Sequence, residues 1–482
     1  MFASSRVSAI YRLACPIVIA QLGSILQGWA DTIMVGQYGT PELSAAGFVN
    51  NVYNFIIYFL LGMSYATTPV VGAHFSRGSY GKVLQTLRDS NVVNVLTSLG
   101  VVALLLLMYV NMDSLGQPVE LMPLIRPYFL VLMVSMPFLA LFNSMKQFSD
   151  AVGDTKTPMW VMIGSNVLNL VLNYLFIFVL DGGLLGAGLA TMVARMAMAL
   201  SMYVALRRGS LLRSMRVKAE GGPLLTSPLR GGTPSGGQRG GLLLLRLGMP
   251  ISIQMCLEAG SFNVCAIFMG WIGATALAAH QVMGTVSTLC FMVYYGIGAA
   301  AAIRIAYFRG QEEWDEVVKT ARTALWMSLA SGVVITTLIV VAGGPIAGLF
   351  TTSREVALLF LAMLPPFVCY QLGDCLQITY ANALRAIQDV KAMMLFAFVA
   401  YCLISIPLGY VLAFPCGMGA VGIWWSFPFG LTTAGLLYRW RFLRITKSER
   451  FKSELRNPKS ELRNHPDGLS DFGFRNSEFL NS

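Results

Sequence analysis

The sequence predicts an all-α, multi-pass membrane protein of twelve transmembrane helices arranged as two six-helix halves. Three observations carry that prediction: twelve long apolar stretches, a charge that alternates from loop to loop, and a repeat of the first half within the second. Composition sets the class. Of 482 residues, 56% are hydrophobic and only 12% charged, about half the charged share of a soluble chain. The formal net charge of +11 would ordinarily point to nucleic acid. Here the basic residues gather in short loops and in the tail, where membrane topology wants them, which excludes that class.

Crossing a bilayer takes about 20 mostly apolar residues. Such stretches fall near 10–35, 46–73, 91–111, 122–147, 159–180, 184–206, 242–271, 276–303, 322–349, 356–384, 391–414 and 418–440. The first run is longer than a signal-peptide core and lacks a small-residue cleavage site, so no cleaved leader is expected. One set of loops carries Arg77, Lys82 and Arg88, then Lys146 and Lys156, then Arg207, Arg208, Arg213, Arg216 and Lys218. It continues with Arg304, Arg309 and Lys319, with Arg385 and Lys391, and with Arg439, Arg441 and Arg444. The intervening loops are nearly free of basic residues. By the positive-inside rule both termini are expected in the cytoplasm. The eight cysteines are scattered through apolar runs without a C-x-x-C pair, so neither a disulfide framework nor a zinc site is expected.

The expected organisation is an N-lobe over 1–207, a cytosolic Gly/Pro-rich linker over 208–240, a C-lobe over 241–445 and a polar, disordered tail over 446–482. Residues 219–240, "AEGGPLLTSPLRGGTPSGGQRG", offer nothing to build a core. The tail repeats "KSELRNPKSELRN" from Lys452; a short charged repeat can bind a partner, but this composition reads first as disorder.

The internal repeat is the most informative feature. A shift of 234 residues lays "CPIVIAQLGSILQGWADTIMVG" from Cys15 over "MPISIQMCLEAGSFNVCAIFMG" from Met249 without a gap. Pro16 then matches Pro250, Gly36 matches Gly270 and Gly62 matches Gly296. Pro137 and Pro366 sit in comparable places of spans four and ten. Because each half holds an even number of spans, both enter the bilayer the same way, related by an axis along the membrane normal. Two such lobes can rock about that axis and expose a central site alternately to either side. The matching glycines also have a plainer use, in close helix contacts.

The halves differ where their acids lie. Under the 234 shift Glu258 falls over Ser24, and Asp31 over Cys265. A charge at mid-bilayer costs about 2.5–3.5 kcal/mol on insertion scales, so each acid must face protein or water. A third, Asp374, stands in "YQLGDCLQ" of span ten. Arg246 precedes Glu258 by twelve residues and Arg385 follows Asp374 by eleven. That puts both acids roughly 17–18 Å from the inner surface. Tyr370 lies one turn before Asp374 on the same face. Two carboxylates and a phenol oxygen at one depth suit a hard cation such as Na⁺, or a shared proton. The plainer alternative is a neutral acid bonded to a neighbouring helix, but for an acid inside the membrane the functional reading is the default.

In the first half, Asp31 follows Pro16, which lacks a backbone donor and should bend its helix. In span five "SNVLNLVLNYLF" places Asn166, Asn169 and Asn173 on one helical face. Such a face can line a cavity or simply hold helices together. Arg195, deep in span six, can pair with an acid or anchor its helix.

Taken together, these stretches resemble the multidrug and toxic compound extrusion (MATE) family, in its NorM-type branch. "DTIMVG" from Asp31 resembles the end of that family's first span, "NLVLNYLFI" from Asn169 its fifth, "ALAAHQV" from Ala276 its eighth and "YQLGDCLQ" from Tyr370 its tenth. The resemblance covers nearly all of residues 8–445. It implies a V-shaped, twelve-helix secondary antiporter of a bacterial inner membrane, monomeric and without a cofactor, that expels lipophilic cations against Na⁺ or H⁺. On the matched motifs, Glu258, Asp374 and Tyr370 would form a C-lobe cation site, with Na⁺ the favoured ion. Asp31, Asn169 and Asn173 would form an N-lobe polar site for a proton, cation or substrate, linked to bending at Pro16. The Gly-rich insert in the linker and the tail beyond Lys447 match nothing in the family.

Two rivals remain. A flippase for lipid-linked precursors would favour basic residues in the cavity, to meet phosphates, whereas the deep charges here are mostly acids. An intramembrane enzyme using Glu258 and Asp374 as acid and base would need a nucleophile or metal nearby. His74, His280 and His465 show no ligand spacing, and His280 reads as a packing or hydrogen-bonding residue.

Overall fold

The apolar runs fold as helices because, in lipid, a helix satisfies its own backbone hydrogen bonds. The computed structural model describes residues 2–115, 118–220, 235–351 and 353–456, and no strand occurs among them. The first half comprises α1 (Phe2–Tyr38), α2 (Thr40–Tyr65), α3 (Thr67–Ser76), α4 (Tyr80–Val110), α5 (Met122–Ala151), α6 (Lys156–Tyr174), α7 (Gly183–Arg208) and α8 (Ser210–Glu220). The second comprises α9 (Ser235–Ile272), α10 (Ala274–Gly310), α11 (Trp314–Val341), α12 (Gly343–Phe350), α13 (Arg354–Ala362), α14 (Leu364–Ala386), α15 (Val390–Ala397), α16 (Ile406–Ala413) and α17 (Gly419–Arg456). Among the described residues, eleven segments are long and apolar enough to span a membrane, and twelve when α13 and α14, bent by 47° at their break, are counted as one. Lipid-facing character shows in α4, among the most apolar spans, whose Leu96, Leu104, Leu107 and Val110 remain exposed.

Four features depart from the sequence expectations. Span nine ends at Val341, and Gly343–Phe350 forms the separate α12. Span ten breaks at Met363, where Pro365 and Pro366 supply no backbone donors to continue α13. The expected structureless linker is helical at both ends: α8 occupies 210–220 and α9 begins at Ser235. In α8, Leu212 and Met215 are one turn apart and pack against Val71, Val83 and Phe148; residues 221–234 lie outside the described residues. The tail from 446 is likewise no loop at its start. α17 runs on to Arg456, with Thr446 buried, Lys452 paired to Glu449 at 2.7 Å and Arg450 to Asp315 of α11 at 2.9 Å. The second copy of the tail repeat lies outside the described residues.

Two spans contain a π-helical segment, Leu175–Val179 after α6 and Phe398–Ser405 between α15 and α16. They fall in spans five and eleven, the fifth of each half. Such turns widen a helix locally and often accompany functional sites.

The halves meet along α1, α2 and α3 on one side and α9 and α10 on the other. Among the described residues, the inter-lobe bonds and glycine contacts cluster towards the end that carries the basic loops, here termed the basic end. Arg6 pairs with Glu316 at 2.9 Å. Arg77 donates to the Gly310 carbonyl at 2.6 Å, Ser252 Oγ to the Phe59 carbonyl at 2.7 Å, and the Tyr65 and Tyr295 hydroxyls meet at 2.6 Å. The repeat is visible in this contact. A Cβ on Gly62 would strike the Ser252 backbone, and one on Gly296 would strike Val18; the same 234 shift relates both members of the two pairs. One apolar core runs through the contact, joining Ile10, Ala14, Met63 and Val70 to the interior of the second half. A separate core holds the opposite half of the N-lobe, around Val49, Tyr53, Phe129 and Met136. The lobes are therefore sealed at the basic end, while their walls make none of these bonds farther along α1, α2, α9 and α10.

Candidate functional site

Glu258 stands where the sealed contact gives way. It lies six residues beyond Ser252 on α9, about 9 Å farther along the helix. It is half-buried and within electrostatic reach of Tyr58 on the opposing α2. Its Oε2 accepts hydrogen bonds from Gln254 Nε2 at 2.7 Å and from Gln377 Nε2 at 3.2 Å. Gln377 also donates to the Tyr401 hydroxyl at 3.0 Å, a residue presented by the π-helical segment of span eleven.

Asp374 is 1% exposed and stands one turn before Gln377, whose amide reaches Glu258, so the structure brings the two predicted acids into one cluster. Tyr370, one turn away on α14, is also buried and accepts a hydrogen bond from Ser287 Oγ at 3.1 Å. Its ring sits among Phe262, Phe367, Trp424 and Phe427, with centroids 6.0–6.3 Å away. Asp374 Oδ2 and Gln377 Oε1 are buried without a hydrogen-bond partner. A buried acceptor left bare costs about 1–3 kcal/mol. Two such bare oxygens in a cluster that also holds a second carboxylate are free to accept from a proton or to ligate a small hard cation.

In the N-lobe, α1 and α6 pack together. Asn173 Nδ2 donates to Asp31 and, at 3.2 Å, to Asn169 Oδ1. Asn169 and Asn173 are fully buried, and Asn166 faces Gly23 of α1. The asparagine stripe is thus turned onto α1, between helices of one lobe. Asp31 itself is half-buried, with the Gln27 side chain as a second donor. Arg195 donates to Ser135 Oγ at 2.7 Å and influences Asp31 from beyond ion-pair range, so it acts first as an anchor. Pro16 is buried inside α1, which stays helical from Phe2 to Tyr38. It leaves the Arg12 carbonyl without its intrahelical donor, but the helix is not interrupted there. His280 packs on Trp424 with centroids 5.7 Å apart.

Sequence reasoning missed Gln254, Gln377, Tyr401 and Ser287, which surround the C-lobe acids. It used Arg385 only as a depth marker; its Nη2 in fact donates to Gln254 Oε1 at 2.6 Å. Gln254 and Gln377 are separated from Glu258 and Asp374 by one turn or less, a spacing that signals a shared face.

Comparison with known proteins agrees with this architecture. The MatE family model matches residues 16–175 and 250–411, once in each half. The chain is 31% identical over 463 residues to the multidrug resistance protein NorM of Burkholderia vietnamiensis, covering 91% of this chain and 94% of that protein. To the multidrug resistance protein NorM of Vibrio vulnificus strain YJ016 it is 27% identical over 444 residues, covering 89% and 93%. Among solved structures, the outward-facing conformation of a multidrug resistance MATE family transporter superposes with a TM-score of 0.80 at 18% identity, over 92% of this chain and 97% of that one.

Proposed function

The chain belongs to the MatE family, and from that premise we propose that it expels organic cations in exchange for Na⁺ or H⁺ by rocking its two lobes. It is a secondary transporter and not an enzyme, in keeping with its family. The observation that carries the mechanism is the position of Glu258: half-buried at the margin of the inter-lobe contact and coupled to the buried Asp374. A lipophilic guest held against the lobe walls has its charge offset by this carboxylate. An inorganic cation arriving from the other side neutralises the same group, so the two guests compete. Without such a difference in affinity between states, neither guest could drive the exchange.

The bare oxygens of Asp374 and Gln377 support Glu258, Asp374 and Tyr370 as the cation site, with Na⁺ the favoured ion. Asp31, held by Asn173 and Gln27, is the N-lobe partner, with Asn169 positioning Asn173. Pro16, about four turns earlier on the same helix, is where α1 would bend in response. If the basic end faces the cytoplasm, as its loop charges favour, the described conformation is open to the outside. A bacterial inner membrane, a monomeric state and organic-cation substrates complete the proposal. Proteoliposomes loaded with a cationic dye, given a Na⁺ or an H⁺ gradient separately, test it. Efflux driven by one gradient and blocked by collapsing it is expected; dye movement indifferent to both would overturn the reading.

A further inference from the structure

Arg385 is a buried cation, 6% exposed, at the end of α14. Among the described residues no carboxylate comes within ion-pair distance of it, and its Nε has no hydrogen-bond partner. The neighbouring charges do not balance it: Lys146 and Asp150, lining the same small cavity, already pair with each other at 2.8 Å. Its two visible contacts lead in opposite directions. Nη2 donates to Gln254 Oε1 at 2.6 Å, and Gln254 Nε2 donates onward to Glu258 Oε2 at 2.7 Å. On the other side, the guanidinium carbon lies 5.3 Å from the centroid of the Tyr65 ring, which belongs to the opposite lobe. Tyr65 in turn closes on Tyr295.

This is a continuous path from the C-lobe acid to the seal between the lobes, and it carries a definite electrostatic sign. A buried guanidinium is costly unless compensated. Among the described residues the one acid linked to it is Glu258, one amide away. We propose that Arg385, acting through Gln254, couples the charge on Glu258 to the basic-end seal, so that a cation taken by Glu258 leaves the guanidinium packed on Tyr65 without its counter-charge, destabilises the sealed state and releases the lobes. The coupling runs in the direction exchange requires: an ion bound from the open side prepares opening on the other. Gln254 matters because one amide both donates to the carboxylate and accepts from the guanidinium, so its orientation is fixed from both ends. Arg385 is a positioning residue in this scheme, since it touches neither guest. The scheme rests on the reading that Glu258 takes the coupling cation.

Hydrogen exchange of the full-length protein in lipid nanodiscs tests it, read in segments 59–77 and 295–310 with NaCl against choline chloride. Coupling between two sites commonly shifts an equilibrium by about 5–150-fold. Exchange in both segments is expected to quicken about tenfold when wild type binds Na⁺, and to be equally quick in Glu258→Gln without Na⁺. Arg385→Met should abolish the Na⁺ response. Should that variant fold poorly, the ring contact decides: Tyr65→Phe, which keeps the aromatic face, should retain the response and Tyr65→Leu should lose it. A full Na⁺ response in a folded Arg385→Met, or in Tyr65→Leu, would overturn the proposal. So would an unchanged seal in Glu258→Gln. If wild type ignores Na⁺ while Glu258→Gln still loosens the seal, the relay stands and the identity of the coupling ion falls.

Discussion

Tyr65 of the first lobe and Tyr295 of the second meet hydroxyl to hydroxyl at 2.6 Å, and both are buried. Removing one hydroxyl deletes a hydrogen bond and leaves the other group bare, at a cost of about 1–3 kcal/mol to the sealed state. Tyr295→Phe should therefore raise the share of molecules open at the basic end about fivefold or more. Labelling of a cysteine placed at Ala73 by a water-soluble maleimide, in a background without native cysteines, measures this; an unchanged labelling rate would count against the bond's role in closure.

Glu258→Gln and Asp374→Asn keep the volume of each side chain and remove its charge. Ion-driven dye efflux should fall to background in either variant, while insertion and melting temperature stay near wild type. Efflux at wild-type rates from Glu258→Gln would refute the assignment of the cation site.

For the N-lobe, Asn173→Ala takes away the donor that holds Asp31 and also frees Asn169. The same helices keep their apolar packing, so the expected effect is on transport: efflux reduced several-fold, or a changed preference between Na⁺ and H⁺ gradients, as for Asp31→Asn. A wild-type ion profile in both variants would leave the N-lobe acid without a transport role.

A larger side chain at the repeat-related glycines should block closure. Gly62→Val drives methyl groups into the Ser252 backbone, which cannot move aside as a flexible side chain could. Overpacking of this kind costs about 1–3 kcal/mol, falling here on the sealed state. Efflux should collapse, whereas Gly260→Ala, with nothing within 4 Å of the added carbon, should transport normally. Equal activity in the two variants would show that the close approach is unnecessary.

The ion pair between Arg6 and Glu316 also bridges the lobes, but both side chains are about a quarter exposed. Pairs reached by water contribute about 0–1 kcal/mol, so Arg6→Ala should change efflux by no more than about fivefold and blunt any salt dependence of labelling at the basic end. A large loss of transport would assign this pair a part that its exposure does not support.

Much of this was legible before any coordinates. Span length and loop charge give the helix count, and the ungapped match from Cys15 to Met249 gives the two lobes. Glu258 and Asp374 are conspicuous because an acid in an apolar run is costly. Their surroundings were not legible, because amides occur in several spans and only packing decides which of them meet. Gln254 shares a face of α9 with Glu258, but only the tertiary approach of α9 and α14 brings it to Arg385. The asparagines of span five left two readings open, and the contact of Asn166 with Gly23 turns them towards α1. The start of the tail was misread from its polarity alone, although Glu449 and Lys452 already stand at helical spacing.

The shared apolar core at the basic end has a thermal corollary. Burial of Ile10, Ala14, Met63 and Val70 against the opposite lobe is favoured by water's entropy near room temperature and weakens on cooling. Chilling should therefore favour parting of the lobes at the basic end, where opening would bring this apolar surface into contact with water, without any ligand.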